Sequence, residues 1–405
     1  MRSWLAICAV AVAFGFISAS PARAATTYYT TPGGGSTPCS QTSPCSLPHA
    51  ISLVVSGDTI VMEPGSSAYT PGSINVPAGI TLGGQSGVAA PTIQGPPSGG
   101  AVVLGAGVTL HDVHIQGASG QIALFANTSS TIERVASMGT GSGGTACQLG
   151  DGTLRDTVCA ATSSAGIVQN LGNGTRTLNL TNVTAFGTDG ILVNSSGAGT
   201  SYVLNGTNVI ARGGSSFVDI YAGASSGATS TVALSFSNYA TVNSSNPPAT
   251  SITPPGANDS KTAAPLLDAN FRELPGSPTI DAGNTTPDIG NVDLDGNPRE
   301  SPVCLGGRTG PPDVGAYEFP TISPPVAECS AFTIGKLALN KKKGTATLAV
   351  RVPGSGSLAA SGKGLKGTSV NATAAGDVSL KLKATGKQRG KLSNTGRLKL
   401  KVKLA

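Results

Sequence analysis

The chain has 405 residues, of which 39% are hydrophobic but only 4% aromatic, with 56 Gly and 27 Pro interspersed throughout. This length allows more than one domain, whereas the density of Gly and Pro excludes a helical bundle or coiled coil, and the aromatic poverty excludes a core filled by rings. The net charge of +6 hides a division: residues 331–405 hold thirteen Lys and three Arg against Asp377 alone, a charge of +15, so residues 1–330 carry −9 and are not a nucleic-acid-binding body.

In chain order, Arg2, the apolar run Leu5 to Phe16 and the small-x-small site Ala22-Arg23-Ala24 read as a signal peptide over 1–24, which predicts an exported, extracellular or envelope-associated product. No other stretch reaches the roughly 18 apolar residues of a membrane span, so no transmembrane segment is expected. The remaining six cysteines fall in sequence-adjacent pairs, Cys39 with Cys45, Cys147 with Cys159 and Cys304 with Cys329. An even count in an exported chain favours three local disulfides; metal ligation is disfavoured because no Cys-x-x-Cys or Cys/His cluster exists. Residues 25–57, with the Cys39–Cys45 loop and the amphipathic Ser46 to Val54, read as an N-terminal cap that covers an open sheet end.

Residues 58–246 are short Val, Ile, Leu and Thr runs broken by Gly, Pro, Asn and Ser. Within them a pattern of Leu or Ile, two polar residues and Val recurs about every 22 to 26 residues: Leu110-His111-Asp112-Val113, Ile132-Glu133-Arg134-Val135, Leu154 to Val158 with one residue extra, and Leu180-Thr181-Asn182-Val183, with a degenerate copy ending at Asn208-Val209. Such units cannot bury an apolar face alone and must stack, which predicts an all-β fold built on a right-handed parallel β-helix. Leu110 and Val113, three apart, both face inward only if the chain turns between them. A corner is expected there, with His111, Glu133 and Arg155 in one column and Asp112, Arg134 and Asp156 in the next, and Asn182 and Asn208 continuing the stack.

Pro247-Pro248 and Pro254-Pro255 suggest a linker over 247–263 that leaves the stack. Residues 264–320 form an Asp/Gly-rich closing module containing SPTIDAG (277–283), VDLDGNPR (292–299) and DVGAYEF (313–319); a Pro-rich linker over 321–330 then leads to a basic antiparallel β-sandwich over 331–405. There Leu and Val alternate with Lys, Arg or small residues, and glycines mark turns.

The Gly57-Asp58-Thr59-Ile60 and Pro64-Gly65 strings, the coil repeat and above all the SPTIDAG, DLDGNPR and DVGAYEF strings resemble exported bacterial right-handed parallel β-helix proteins of the choice-of-anchor Q type, in the pectate-lyase-like superfamily, over residues 25–320. The tail resembles small basic β-domains appended to exported actinobacterial proteins. The resemblance implies a surface or secreted protein with no assigned reaction.

Three chemistries deserve weighing. Asp112, Arg134 and Asp156, with Glu133 and Arg155, are the dense charged set of the coils. Asp112 and Asp156 would stand two coils apart, roughly 9.6 Å at the strand spacing, at the limit for an inverting glycosidase pair; a lyase would use Arg134 as base. The opposing reading is an ionic ladder in which each carboxylate is neutralised by its neighbour, and it is preferred. His49, His111 and His114 carry no motif. Asp281, Asp293, Asp295 and Asp313, with Asp288 and Glu318, have the composition of a calcium site, but turn formation and a buried pairing of Arg299 with Asp293 or Asp295 account for them as well. The basic tail suits an anionic wall or extracellular polysaccharide, or is merely a solvated face; without interleaved aromatics it is not expected to bind nucleic acid. The sequence thus predicts a non-catalytic glycan-binding or adhesive protein without a cofactor, calcium aside, with a polysaccharide lyase or glycosidase, and a purely structural spacer, as alternatives.

Overall fold

The computed structural model describes residues 23–36, 38–85, 87–285, 290–299, 310–319, 333–340, 345–352, 356–372, 376–395 and 402–404. The expected signal peptide, the Cys304–Cys329 pair and the 321–330 linker lie outside the described residues, wholly or in all but two positions of the first.

Two parallel sheets wind around a common aliphatic core. The first follows the path β1 (Thr27–Gly35), β2 (Thr59–Met62), β4 (Thr81–Gly84), β7 (Thr109–Gln116), β9 (Ser130–Gly139), β11 (Gly152–Ala161), β13 (Thr175–Phe186), β15 (Ser201–Arg212), β17 (Thr229–Ser235) and β19 (Thr250–Ile252), with β5 (Thr92–Gln94) set against β7. The second contains β3 (Ile74–Val76), β6 (Val102–Leu104), β8 (Ile122–Ala126), β10 (Thr145–Leu149), β12 (Ile167–Gln169), β14 (Ile191–Ser195), β16 (Ile220–Ala224) and β18 (Val242–Ser244). Strands alternate between the sheets along the chain and pair only with the turn above or below, which is the stacked-coil architecture the repeat requires.

Registry explains the core. Ile60, Leu82, Leu110, Ile132, Leu154 and Leu180 fall in one inward column, and Val102, Leu124, Cys147, Ile167, Ile191 and Ile220 in another on the opposite sheet. All are 0–2% exposed. Gly206 takes the next place in the first column because a Cβ there would sit 2.5 Å from Leu234 Cδ2 and 2.9 Å from Val209 Cγ2. The Cys147–Cys159 disulfide crosses this interior from β10 to β11, and Cys39–Cys45 closes the loop beside β1. Helix α1 (Leu47–Leu53) begins at Ser46, whose hydroxyl accepts from His49 N, and tucks Leu47 and Ala50 into the same core.

The expected corner bends the long strands. Asp112, Arg134, Asp156, Asn182 and Asn208 all adopt left-handed backbone (φ 54°, 50°, 51°, 54° and 57°). Asp and Asn tolerate that region better than other non-glycine residues. Flanking residues then face inward: Leu110 and Val113, and Ile132 and Val135, are buried. The amides stack along the axis, Asn208 Nδ2 donating to Asn182 Oδ1 and Asn182 Nδ2 to Asp156 Oδ1, each at 2.9 Å.

Two expectations change. The third repeat contains no extra residue: Thr157 pairs with Val183 and Val158 with Ala136, so Thr157 takes the inward place, its hydroxyl donating to Arg155 O at 2.8 Å, and Val158 faces outward. Val158 imitates a core position in the sequence because a second layer covers it, as described below. The stretch 247–263 does not leave the stack either, since β19 pairs in parallel with β17 and Lys261 bridges to Asn238; its prolines flank the paired residues and leave their N–H groups free for the ladder.

The tail forms a four-stranded sheet, β20 (Thr333–Asn340), β21 (Thr345–Val352), β25 (Gly376–Ala384) and β23 (Leu365–Lys366), and a three-stranded one, β24 (Thr368–Ala372), β22 (Gly356–Ser361) and β26 (Lys403–Leu404). Leu348, Val350, Val352, Leu358, Ala360, Leu380 and Leu382 form its core. The antiparallel pattern was legible, but helix α2 (Gly386–Thr395) was not: Gly390, expected at a turn, lies inside it.

Asn182→Ala is expected to lower the free energy of unfolding by about 2–4 kcal/mol, through left-handed strain and the loss of two buried hydrogen bonds whose partners, Asp156 and Asn208, keep Arg299 and Asn284, whereas Asn182→Gly relieves the strain and loses less. Urea titration of both variants checks this; equal losses would mean the backbone conformation contributes nothing.

Candidate functional site

The charged corner assembles as an interlocked ladder. Arg134 donates to both oxygens of Asp112 (2.6 and 2.9 Å), His111 Nδ1 lies 2.8 Å from Asp112 Oδ2, and Arg155 Nη2 donates to Glu133 at 2.6 Å. Desolvation pushes the Asp112 carboxyl up, but the hydrogen bonds from His111 and Arg134 and the Arg134 charge outweigh it and bring its pKa to about 2. Burial dominates at Asp156 and raises it to about 6 despite the Arg299 charge and the Asn182 hydrogen bond. A carboxyl titrating there would suit a general acid, yet Asp156 is 1% exposed, with Gly290 lying over it and Arg299 Nε 2.7 Å away. The structure therefore places Arg134 between the two proposed catalytic carboxylates, holds one ionised and seals the other from any substrate.

The seal is the closing module. Its Leu294, Ala316 and Tyr317 pack on outward Ala136, Val158 and Ala160 of the first sheet, flanked by Met138, Phe186 and Phe271. Gly315 N donates to Asn208 O (2.9 Å), Asn284 N to Asn208 Oδ1 (2.7 Å) and Ala316 N to Thr184 Oγ1 (3.1 Å). The module thus docks on the flank of the middle coils, beyond the corner, and not on the last coil. Arg299, expected to pair with Asp293 or Asp295, instead lies fully buried between Asp156 and Glu318 (2.7 Å to each) and donates to the carbonyls of Gly315 and Ala316. The two aspartates are otherwise engaged. Asp293 accepts from the backbone N–H groups of Asp295, Asn297 and Glu318, and exposed Asp295 holds Arg272 at 2.7 Å, whose guanidinium stacks over Tyr317 at 4.6 Å.

The calcium candidates do not share a centre. Asp313 accepts from Asp281 N (2.7 Å) and Phe319 N (2.6 Å), Asp281 is exposed on left-handed backbone, and Asp293 and Asp295 are committed as above. Among the described residues no group of three or more His, Cys, Asp or Glu side chains has metal-holding geometry; Asp288 lies outside them.

Sequence reasoning missed Glu273. It is 5% exposed, and its carboxyl lies against the side chains of Asp313 and Thr279, with Glu318 nearby. Burial and the adjacent Asp313 push its carboxyl far above the usual carboxylate range, so it is neutral at pH 7. Nothing in Phe271-Arg272-Glu273-Leu274 distinguishes this residue from a solvated surface acid.

Two outer faces remain open. On the first sheet, before the corner, Thr153, Asn179 and Asn205 run beside Glu133, Arg155, Thr181 and Thr207 along a polar groove of about 400 Å³. On the second sheet one outward column reads Asn75, Val103, Phe125, Gln148, Val168, Leu192, Tyr221 and Asn243. It ends in a depression of about 350 Å³ lined by Asp189, Leu192, Phe217, Val218, Tyr221 and Asn243, where the Phe217 ring is 56% exposed. Asp189 accepts from Val218 N at 3.3 Å, and desolvation raises its pKa. This column was invisible in the sequence because its members align only once the coil register is known.

The pairing pattern defines a parallel β-solenoid with an antiparallel tail. No protein-family model matches the chain, and no curated protein matches it. Among solved structures, the crystal structure of pectate lyase Pel9A is similar at 16% identity and a TM-score of 0.37, over 72% of this chain and 96% of that one. No helix among the described residues is long and apolar enough to cross a membrane.

Removing Arg299 leaves Asp156 and Glu318 buried without their common cation. Arg299→Met is expected to cost about 3–5 kcal/mol and to expose the 264–319 segment to protease before the solenoid melts; an unchanged cleavage pattern would contradict the docking role. Because Glu273 binds its proton more tightly folded than unfolded, its contribution to stability is complete below its unfolded value near 4.5 and falls as pH rises above it. The stability gap between wild type and Glu273→Gln is therefore expected to shift in favour of the variant from pH 5 to pH 9, read by urea titration; a pH-independent gap would contradict a neutral buried carboxyl.

Proposed function

We propose that this is an exported, envelope-associated or extracellular protein that binds an extended glycan on the outer face of the second sheet without cleaving it. The observation that carries the reading is the axial column from Val103 to Asn243, ending in exposed Phe217, Tyr221 and the desolvated Asp189. Val103 and Phe125 on one side of Gln148, and Val168, Leu192 and Tyr221 on the other, offer apolar contacts at the roughly 4.8 Å coil spacing for the C–H faces of sugars, with Asp189, Gln148, Asn75 and Asn243 placed to take hydroxyls. At the end of the column Phe217 leaves a large apolar side chain 56% exposed, while the column's own apolar members are half-buried or, at Val168, buried. Location outside the cell is supported by the leader-like first 24 residues, the two disulfides and the resemblance to choice-of-anchor Q proteins.

The non-catalytic part of the proposal is supported by the corner chemistry, in which the carboxylates suited to hydrolysis are ion-paired or buried. A glycan-binding and depolymerisation screen on the full chain tests it. Binding without new reducing or unsaturated ends is expected, with at least about a tenfold loss in Phe217→Ala/Tyr221→Ala, two stacking contacts being worth 1.4 kcal/mol or more together. Chain cleavage abolished by Asp112→Ala or Arg134→Ala would establish the lyase or glycosidase instead, and no binding to any glycan would leave a structural spacer.

A further inference from the structure

We infer that the four-stranded sheet of the tail carries a defined binding face for a polyanionic glycan, centred on Lys366, Lys381 and Lys383. Lys381 and Lys383 lie two apart on β25 and so emerge from one face, and Lys366 on β23 stands directly opposite Lys383 in the antiparallel pair. Directly opposed residues have Cβ atoms about 4.5–5.5 Å apart, and like charges so placed repel and destabilise the sheet. All three lysines are exposed, and none forms an ion pair among the described residues. On the other side of β25, Thr345 and Thr347 of β21 stand opposite Lys383 and Lys381 and add hydroxyls to the same face. The single acid of the tail, Asp377, is about 13 Å further along β25 and opposite Arg351. An anion seated between Lys366 and Lys383 converts their repulsion into attraction, and no acid among the described residues pairs with them.

The kind of anion follows from the rest of the tail. Residues 331–405 contain one aromatic, Phe332, so there is no platform for nucleic-acid bases. The exposed apolar residues of β20, Ile334, Leu337 and Leu339, pair with Val350, Leu348 and Ala346 and so lie on the sandwich-core side, away from the lysines; the face lacks the apolar complement that membrane insertion needs. Asp58, Asp112, Glu133, Asp156, Asp219, Asp295 and Glu318 of the body already pair with its arginines, so a second copy would have to dock through the remaining acids, such as exposed Asp259 and Asp281. A flexible carboxylate-bearing polysaccharide fits a flat row of ammonium groups and hydroxyls.

Binding of the full chain to immobilised polygalacturonate, with dextran, duplex DNA and phosphatidylglycerol vesicles as comparisons, tests the inference. Lys366→Gln/Lys381→Gln/Lys383→Gln is expected to weaken polygalacturonate binding at least about tenfold and to flatten its dependence on log salt by about 2, whereas Lys387→Gln/Arg389→Gln/Lys391→Gln, which removes the same charge from α2, is expected to weaken it less than about threefold. Phe217→Ala/Tyr221→Ala should leave this binding intact, which separates it from the glycan column of the second sheet. Equal losses in the two triple variants, tighter binding to DNA or vesicles, or self-association that polygalacturonate does not compete away would each overturn the inference.

Discussion

A left-handed corner in the long strands of the first sheet governs the remainder of the body. At Asp112, Arg134, Asp156, Asn182 and Asn208 the chain turns so that the residues on both sides face inward, aliphatic at most positions but Thr157 after Asp156 and Gly206 before Asn208, and Asn208, Asn182 and Asp156 hydrogen-bond to one another along the axis. The stack needs a terminator on its exposed side. Asp156 and Asn208 find it in Arg299, Asn284 and Gly315, so the closing module completes a polar column begun by the coils. An isolated buried carboxylate would be costly, and the guanidinium of Arg299 offsets that cost by serving Asp156 and Glu318 together with two carbonyls.

The same arrangement engages the acids of the corner. Acidic residues on a β-helix invite a catalytic interpretation, but the ones here hold the corner and the module. Their pKa values move in opposite directions, Asp112 to about 2 and Asp156 to about 6, which in an open cleft would mark a base and an acid. Burial under Gly290 and the intervening Arg134 remove that opportunity. The column of the second sheet and the lysine face of the tail, where we propose that ligands bind, lie away from the corner.

The solenoid was legible because stacking leaves a periodic trace: Leu110, Ile132, Leu154 and Leu180 recur in the sequence and superpose in the core. The two charge columns were legible for the same reason. Legibility ended where a second layer covers the first. Val158 reads as an inward residue because Tyr317 and Ala316 bury it from outside, and this displaced the third repeat by one position. The partner of Arg299 was out of reach in principle, since Asp156 precedes it by 143 residues and no local spacing encodes that contact. Glu273 is charged in composition and neutral in place, a difference created entirely by burial beside Asp313. In the tail, alternation revealed the sheets, whereas α2 was hidden by Gly390, a poor helix former in the middle of its span.

The central claim is that the closing module and the corner are one structural unit that permanently encloses Asp156. Native-state hydrogen exchange of the Gly315 and Ala316 amides, which donate to Asn208 O and Thr184 Oγ1, addresses it directly. Exchange only through global unfolding, with the same free energy as the amides of β11 and β13, is the predicted result. Rapid exchange through local opening at neutral pH, while β11 and β13 stay protected, would show Asp156 to be intermittently accessible and would contradict the account.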